Sequence, residues 1–202
     1  MKRFLLGLTG GMASGKSTVA RLLEKEGFHV VDADRVVAEL YAPGGRGAAA
    51  LGELLGPEVL DASGAVDKPS VARLIFSDPK TKERVESAIH PLVHEHFRSI
   101  AKSLEGVVVY EATLLVESGH AASFDLVISI EAPHEKRLAW AVGRGMGEEE
   151  ALARLRAQGG GAERRAGASR ILKNDGSLED LAQAAGALAD ELRSRLSTAQ
   201  KS

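Results

Sequence analysis

The stretch "GLTGGMASGKST", residues 7–18, constrains this chain more than any other part of it. It follows an apolar run, Phe4 to Thr9, that reads as a buried strand. It leads into Ser17 to Glu26, where apolar residues recur at helical spacing until Gly27 supplies a C-terminal stop. Gly10-x-x-x-x-Gly15-Lys16-Ser17 is the pattern of a phosphate-binding loop. Glycines let backbone amides curl inward with no Cβ in the way, and those amides join the helix N-terminus in a nest for phosphate oxygens. Lys16 then brings a compact positive charge to the β- and γ-phosphates, and Ser17 offers a hydroxyl to Mg²⁺. The candidate phosphate-binding residues are Gly11, Met12, Ala13, Ser14, Gly15, Lys16, Ser17 and Thr18, with Ser17 as the metal-facing one. A chance match in a glycine-rich chain has no reason to fall between a strand and a helix, as this one does.

Short apolar strands continue to alternate with helical stretches. Phe28 to Asp34, Val107 to Val116, Phe124 to Pro133 and Ser169 to Gly176 each contain a strand, and Leu178 to Leu196 reads as an amphipathic closing helix. This alternation predicts an α/β fold, a parallel five-stranded sheet between helices. Residues 61–105 contain no strand and read as a helical insertion, with a break at His90-Pro91 because proline suits a helix start. Residues 136–165 form a second helical excursion that ends in a glycine-rich connector, "GGGAERRAG". The expected division is a core of 1–60, 106–135 and 166–202, an insertion at 61–105 and a lid at 136–165.

At 202 residues the chain is long enough for one sizeable core with small appended lobes. Its net charge of −2 advertises no nucleic-acid surface, and no apolar run is long enough to span a bilayer. With no cysteine there is no disulfide framework and no thiol nucleophile. The N-terminal "MKRFLLGLTGG" reads as a first strand with no targeting segment, so a cytoplasmic location is expected. The oligomeric state is left open between monomer and small homo-oligomer.

The second strand ends in "DAD", Asp32-Ala33-Asp34, and in a parallel sheet that end faces the same crevice as the phosphate loop. A carboxylate there can take the proton of an attacking hydroxyl. Asp34 is the candidate base, and Asp32 is either structural, as a helix N-cap, or a neighbour of Mg²⁺. A guanine-nucleotide switch is disfavoured: "DASG" at 61–64 lies in a turn-rich loop, and no Asn-Lys-x-Asp follows. His90, His94 and His96 make no zinc pattern, since neither a His-Glu-x-x-His nor a third ligand is in evidence.

"GLTGGMASGKST" followed by "DADRVVAEL", and then "VARLIFSDP", "IHPLV", "LLVES", "RLRAQ" and "NDGSLEDL" in order, resembles the dephospho-CoA kinase family over nearly the whole chain. The resemblance implies a P-loop nucleotide-kinase fold with a helical CoA-substrate domain and a mobile lid. It implies ATP-dependent phosphorylation of the ribose 3′-hydroxyl of dephospho-CoA, the last step of coenzyme A synthesis. It also implies that His90 lies beside the acceptor, that Asn174 and Gly176 line the adenine side, and that Glu111 has a Walker-B-like place near the substrate; the alternative for Glu111 is a strand-end carboxylate in solvent. Arg137 and Arg144, seven apart and on one helix face, are candidates to neutralise the transferred phosphoryl group, with Arg154 and Gln158 on the lid helix or on a solvated face. The chain departs from the family pattern at Thr113, Trp140, Ser169 and the Gly159–Gly161 run. Those departures keep two rival functions in view: a kinase of this fold for another nucleotide or small alcohol, and a non-catalytic nucleotide-binding regulator.

Overall fold

Leu6 and Leu8, two apart on the first strand, both lose all contact with solvent. That alternation is what lets one face of the sheet receive helices. The computed structural model describes residues 3–201; Met1, Lys2 and Ser202, at the ends of the expected core segments and of the N-terminal stretch, lie outside the described residues. Among the described residues, β1 (Arg3–Gly10), β2 (His29–Asp32), β3 (Gly106–Glu111), β4 (Leu126–Glu131) and β5 (Arg170–Lys173) form one sheet in the order β2-β3-β1-β4-β5. β1 pairs in parallel with β3 and with β4, and β4 in parallel with β5. The chain passes from β1 toward one edge and later returns to the other side, so β1 marks a switch in strand order. In such sheets the crevice beyond the carboxyl ends of the strands takes the ligand.

On one sheet face, Leu6, Leu8, Val107, Val109, Ile128 and Ile130 pack against Val19, Ala20 and Leu23 of α1 (Lys16–Lys25) and against Leu181, Ala185, Leu188, Ala189 and Leu192 of α9 (Leu178–Lys201). The α9 residues recur at three- and four-residue steps, one apolar stripe on an otherwise polar helix. Each such leucine or isoleucine, fully buried, contributes about 1.5–3 kcal/mol of transfer free energy. Arg193 of α9 pairs with Glu26 at 2.6 Å and covers the Phe28 ring at 5.4 Å, fixing α9 to the turn after α1. β5 is an edge strand. Arg170, which sequence pattern makes an awkward buried charge, is exposed there and pairs with Glu191.

Contacts divide the chain into two compact units: residues up to Val31 together with those from Leu104 onward, and Asp32–Ser103. Residues 32–60, expected with the core, therefore pack with the helical insertion. The second unit comprises α2 (Ala33–Leu40), α3 (Arg46–Leu55), α4 (Lys68–Ser77) and α5 (Pro79–Lys102). Val85, Ile89, Val93, Phe97 and Ala101 form the buried ridge of α5, and α2, α3 and α4 pack against that helix. The segment before α4, expected as loop, holds a short 3₁₀ turn at Pro57–Val59 and a bridge between Leu60 and Val66.

Two further expectations need correction. α5 runs unbroken through His90 and Pro91 where a break was expected. Proline removes one backbone donor, at the Ser87 carbonyl, but the apolar ridge on both sides of it is buried and outweighs that loss. The glycine-rich connector is not all loop: Ala162–Gly167 form α8, after α6 (His134–Gly143) and α7 (Glu148–Ala157). Buried Arg164 inside α8 pairs with the half-buried acids Glu131 and Glu117, which gives that turn a reason to be helical.

Because Pro91 is exposed, Pro91→Ala restores a helical hydrogen bond without disturbing the ridge. It is expected to raise unfolding stability by about 1–3 kcal/mol, read as a higher denaturation midpoint.

Candidate functional site

The loop after β1 ends on Gly15 at φ 98°, a left-handed conformation that glycine adopts without cost. A Cβ there would also collide with the Asn174 amide. Within the loop the Ser14 amide bonds the Gly11 carbonyl at 3.1 Å, and the Thr18 and Val19 amides bond the Gly15 carbonyl. The amides of Lys16 and Ser17, first in α1, have no carbonyl one turn earlier to accept them. No acidic residue lies in the first turn of α1, so the positive end of its dipole is uncompensated from within the helix. The Ser14 hydroxyl is buried with no hydrogen-bond partner among the described residues. These are the properties of an anion cradle.

Glu111, the last residue of β3, is 6% exposed. Its Oε1 accepts from Lys16 Nζ and from Ser17 Oγ, each at 2.6 Å. β3 lies beside β1 with Glu111 opposite Leu8, so the carboxylate arrives two residues below the start of the loop. It is a partner of the loop's lysine and hydroxyl, not a strand-end carboxylate in solvent. Ser17 Oγ and the Glu111 carboxylate are hard oxygen donors side by side, a donor set that suits Mg²⁺.

Asn174 is buried behind the loop. It donates from Nδ2 to the Ser14 carbonyl at 2.9 Å, and its own amide bonds the Glu131 carbonyl. Lys136 of α6 binds the Asp175 carbonyl and, at 3.2 Å, that of Gly176, and lies 6.0 Å from the Trp140 ring centre. The "NDG" turn is therefore tied to both the loop and α6.

Arg144, the C-cap of α6, lines a cavity of about 270 Å³ with Met12, Ala13, Met146 and Glu150. Arg137 does not share that outlook. It is 8% exposed and turned onto the loop backbone, donating from Nε to the Met12 carbonyl at 2.8 Å and from a terminal nitrogen to Gln158 Oε1 at 3.0 Å. Gln158 Oε1 also accepts from the Met12 amide at 2.7 Å. Burial and the nearby Arg164 guanidinium pull the Arg137 guanidinium below its usual value. Arg154 is exposed on α7 and pairs with Glu150 at 2.6 Å.

Sequence reasoning missed Arg164, which is 1% exposed. Its Nε donates to Glu131 Oε1 at 2.9 Å, and Glu117 lies 3.5 Å from another nitrogen. Ser129 Oγ donates to the same Glu131 oxygen at 2.6 Å. Burial by itself pushes the Glu131 carboxyl up, but the Arg164 and Ser129 bonds, with the positive charges of Arg164 and Arg165, outweigh it and hold the group below the ordinary 4.5. A signal was present: like Glu111, Glu131 is an acid closing a strand that must otherwise be buried.

In the helical unit, the side chain of Asp32 caps α2 by accepting from the Asp34 amide at 2.8 Å. Asp34 is exposed in the first turn. His90 is half-buried in the middle of α5, and His96 bonds Glu39 at 2.9 Å. Among the described residues no group of three or more His, Cys, Asp or Glu side chains is arranged to hold a metal, and no helix is long and apolar enough to cross a membrane.

The family model described as dephospho-CoA kinase matches residues 4–180 of this chain. A Frankia casuarinae protein of that name is 40% identical over 180 residues, covering 88% of this chain and 79% of the relative. A solved Thermus thermophilus structure superposes with a TM-score of 0.80 at 37% identity, covering 95% of this chain and 99% of that one. The dephospho-CoA kinase of Campylobacter jejuni gives 0.69 at 25% identity, covering 95% and 98%. The match covers nearly the whole chain.

The Glu131–Arg164 pair makes stability depend on pH. Because the folded carboxyl titrates below 4.5, its contribution is fully present above that value and is lost as pH falls through the folded one. Glu131→Gln is expected to cost about 3 kcal/mol at pH 7, leaving Arg164 short of its counter-charge. The gap from the parent should narrow under acid, as read from denaturant midpoints at neutral and acid pH.

Proposed function

The chain belongs to the dephospho-CoA kinase family, and on that premise we propose how its own residues carry phosphoryl transfer from ATP to the ribose 3′-hydroxyl of dephospho-CoA. The observation that carries the reading is the convergence of Lys16 Nζ and Ser17 Oγ on one Glu111 oxygen, at the head of a helix with unfilled amides. Gly11 to Thr18 take the phosphates of ATP. Lys16 exchanges part of its bond to Glu111 for the transferred phosphate. Ser17 and Glu111 hold Mg²⁺, which when bound supplies charge neutralisation on the phosphate oxygens. Asn174 and Gly176 support the adenine side, Asn174 by holding the loop from behind.

Asp34 accepts the proton of the 3′-hydroxyl, and the capping carboxylate of Asp32 sets the start of α2 on which Asp34 stands. The helical unit binds the acceptor, with His90 beside it. Residues 136–165 act as the lid, and Arg144, already next to Met12 and Ala13, closes over the charge that spreads across the phosphoryl group. Closure excludes water and spares ATP from hydrolysis. Arg154 contributes at the lid's outer face. The cytoplasm is the compartment this reading takes.

ADP release coupled to a spectroscopic readout tests the acceptor. Turnover with dephospho-CoA above an ATP-only control is the expected result; turnover with AMP or shikimate and none with dephospho-CoA would overturn the assignment. Lys16→Ala should lower kcat/KM by about 100-fold or more, the scale of losing one preorganised charge donor. Asp34→Asn should lower kcat by about 100- to 10,000-fold with ATP binding unchanged, the range of a lost general base. An Asp34→Asn enzyme with the parent's rate refutes its role.

A further inference from the structure

Met12 is held by both polar groups of its backbone, and by side chains from two different helices. Gln158, the C-cap of α7, accepts from its amide; Arg137 of α6 donates to its carbonyl; and Arg137 donates also to the Gln158 oxygen, closing a ring of three hydrogen bonds. Both groups that reach the Gln158 atom are donors, so that atom is the amide oxygen and the amide nitrogen plays no part in the ring.

Gly11 makes room for this ring. Its φ lies outside the left-handed region, so it is not a glycine for conformational reasons. A Cβ on Gly11 would instead run into the Arg137 guanidinium. With its far end bonded twice and its stem buried, Arg137 could yield only by giving up one of those bonds. The loop therefore uses Gly15 for its backbone shape and Gly11 for the approach of an arginine.

We propose that Gln158 and Arg137 are positioning residues: they fix the Met12 peptide and thereby the direction of the amides that follow it, and they tie that setting to the end of α7. Neither touches the phosphates in this role. Gln158 sits directly before Gly159–Gly161, two of whose glycines have positive φ, while Glu150 at the other end of α7 borders the same cavity as Arg144. A shift of α7 is thus transmitted to the loop through one amide oxygen. The proposal deepens the function given above and rests on the loop being the ATP site.

The experiment compares Gln158→Leu, Gln158→Glu and Gly11→Ala with the parent enzyme. Calorimetry gives Kd for ATP without acceptor, and steady-state kinetics gives KM for each substrate. Losing the double acceptor in Gln158→Leu should weaken ATP binding by about tenfold, the scale of one or two net hydrogen bonds. KM for dephospho-CoA should stay unchanged. Gln158→Glu presents the same two-donor acceptor and should stay within about threefold of the parent. Gly11→Ala, made on a different element, should reproduce the weakened ATP binding by displacing Arg137. A Gln158→Leu enzyme that binds ATP like the parent overturns the proposal, as does a Gln158→Glu enzyme as weak as Gln158→Leu. A parent that binds ATP but ignores dephospho-CoA would sink the acceptor assignment and leave the ring test readable.

Discussion

A single carboxylate oxygen on Glu111 joins the third strand to the first helix, and the architecture of the nucleotide unit exists to bring it there. Glu111 shares its strand face with Val107 and Val109, which lie in the core beneath α1 and α9. Parallel pairing with β1 sets its height, opposite Leu8. A slip of one residue in β3 would turn Glu111 to the opposite face and bring Tyr110 against α1. The apolar alternation that buries the sheet is therefore the same feature that aims the acid. β4 repeats the device on the other side of β1, where Glu131 closes a buried run and takes Arg164 as its partner. Each strand end thus closes on an acid paired with a cation, Lys16 for Glu111 and Arg164 for Glu131.

Much of this was legible in the sequence. The phosphate loop, the strands and the closing helix carry local signals, because periodicity and glycine spacing report directly on local backbone geometry. The parallel order followed from strands alternating with helices. Lys16, Ser17 and Glu111 were each identified, although only the fold could say that they meet. What escaped depends on distant partners. Arg164 looked like part of a charged connector because its acids lie 33 and 47 residues earlier. Pro91 looked like a break because local propensity was weighed without the buried ridge that overrides it. Arg170 looked misplaced because strand order, which makes β5 an edge, is not written in β5 itself.

Arg137 and Arg144 show the limit most clearly. Spacing by two helical turns gave them one face and hence one expected task. In the structure the helix ends between them, so that Arg144 caps it beside the cavity while Arg137 is drawn inward to the Met12 peptide. Periodicity predicts which side of a helix a residue lies on. It says nothing about how far along that side the protein interior extends.

The nucleotide unit is discontinuous in the chain, whereas the helical unit, Asp32–Ser103, is one uninterrupted segment. For a protein made from its N-terminus, this sets an order of assembly. The helical unit has all its residues once about half the chain has been synthesised, but β1 and α1 must wait for β3, β4 and finally α9 before their apolar faces are covered. The phosphate loop waits in turn for Glu111, Arg137, Gln158 and Asn174, each of which comes from later in the chain. The nascent protein thus carries its most recognisable motif before the groups that give the motif a shape, and the loop is held from behind only once Asn174 has been added.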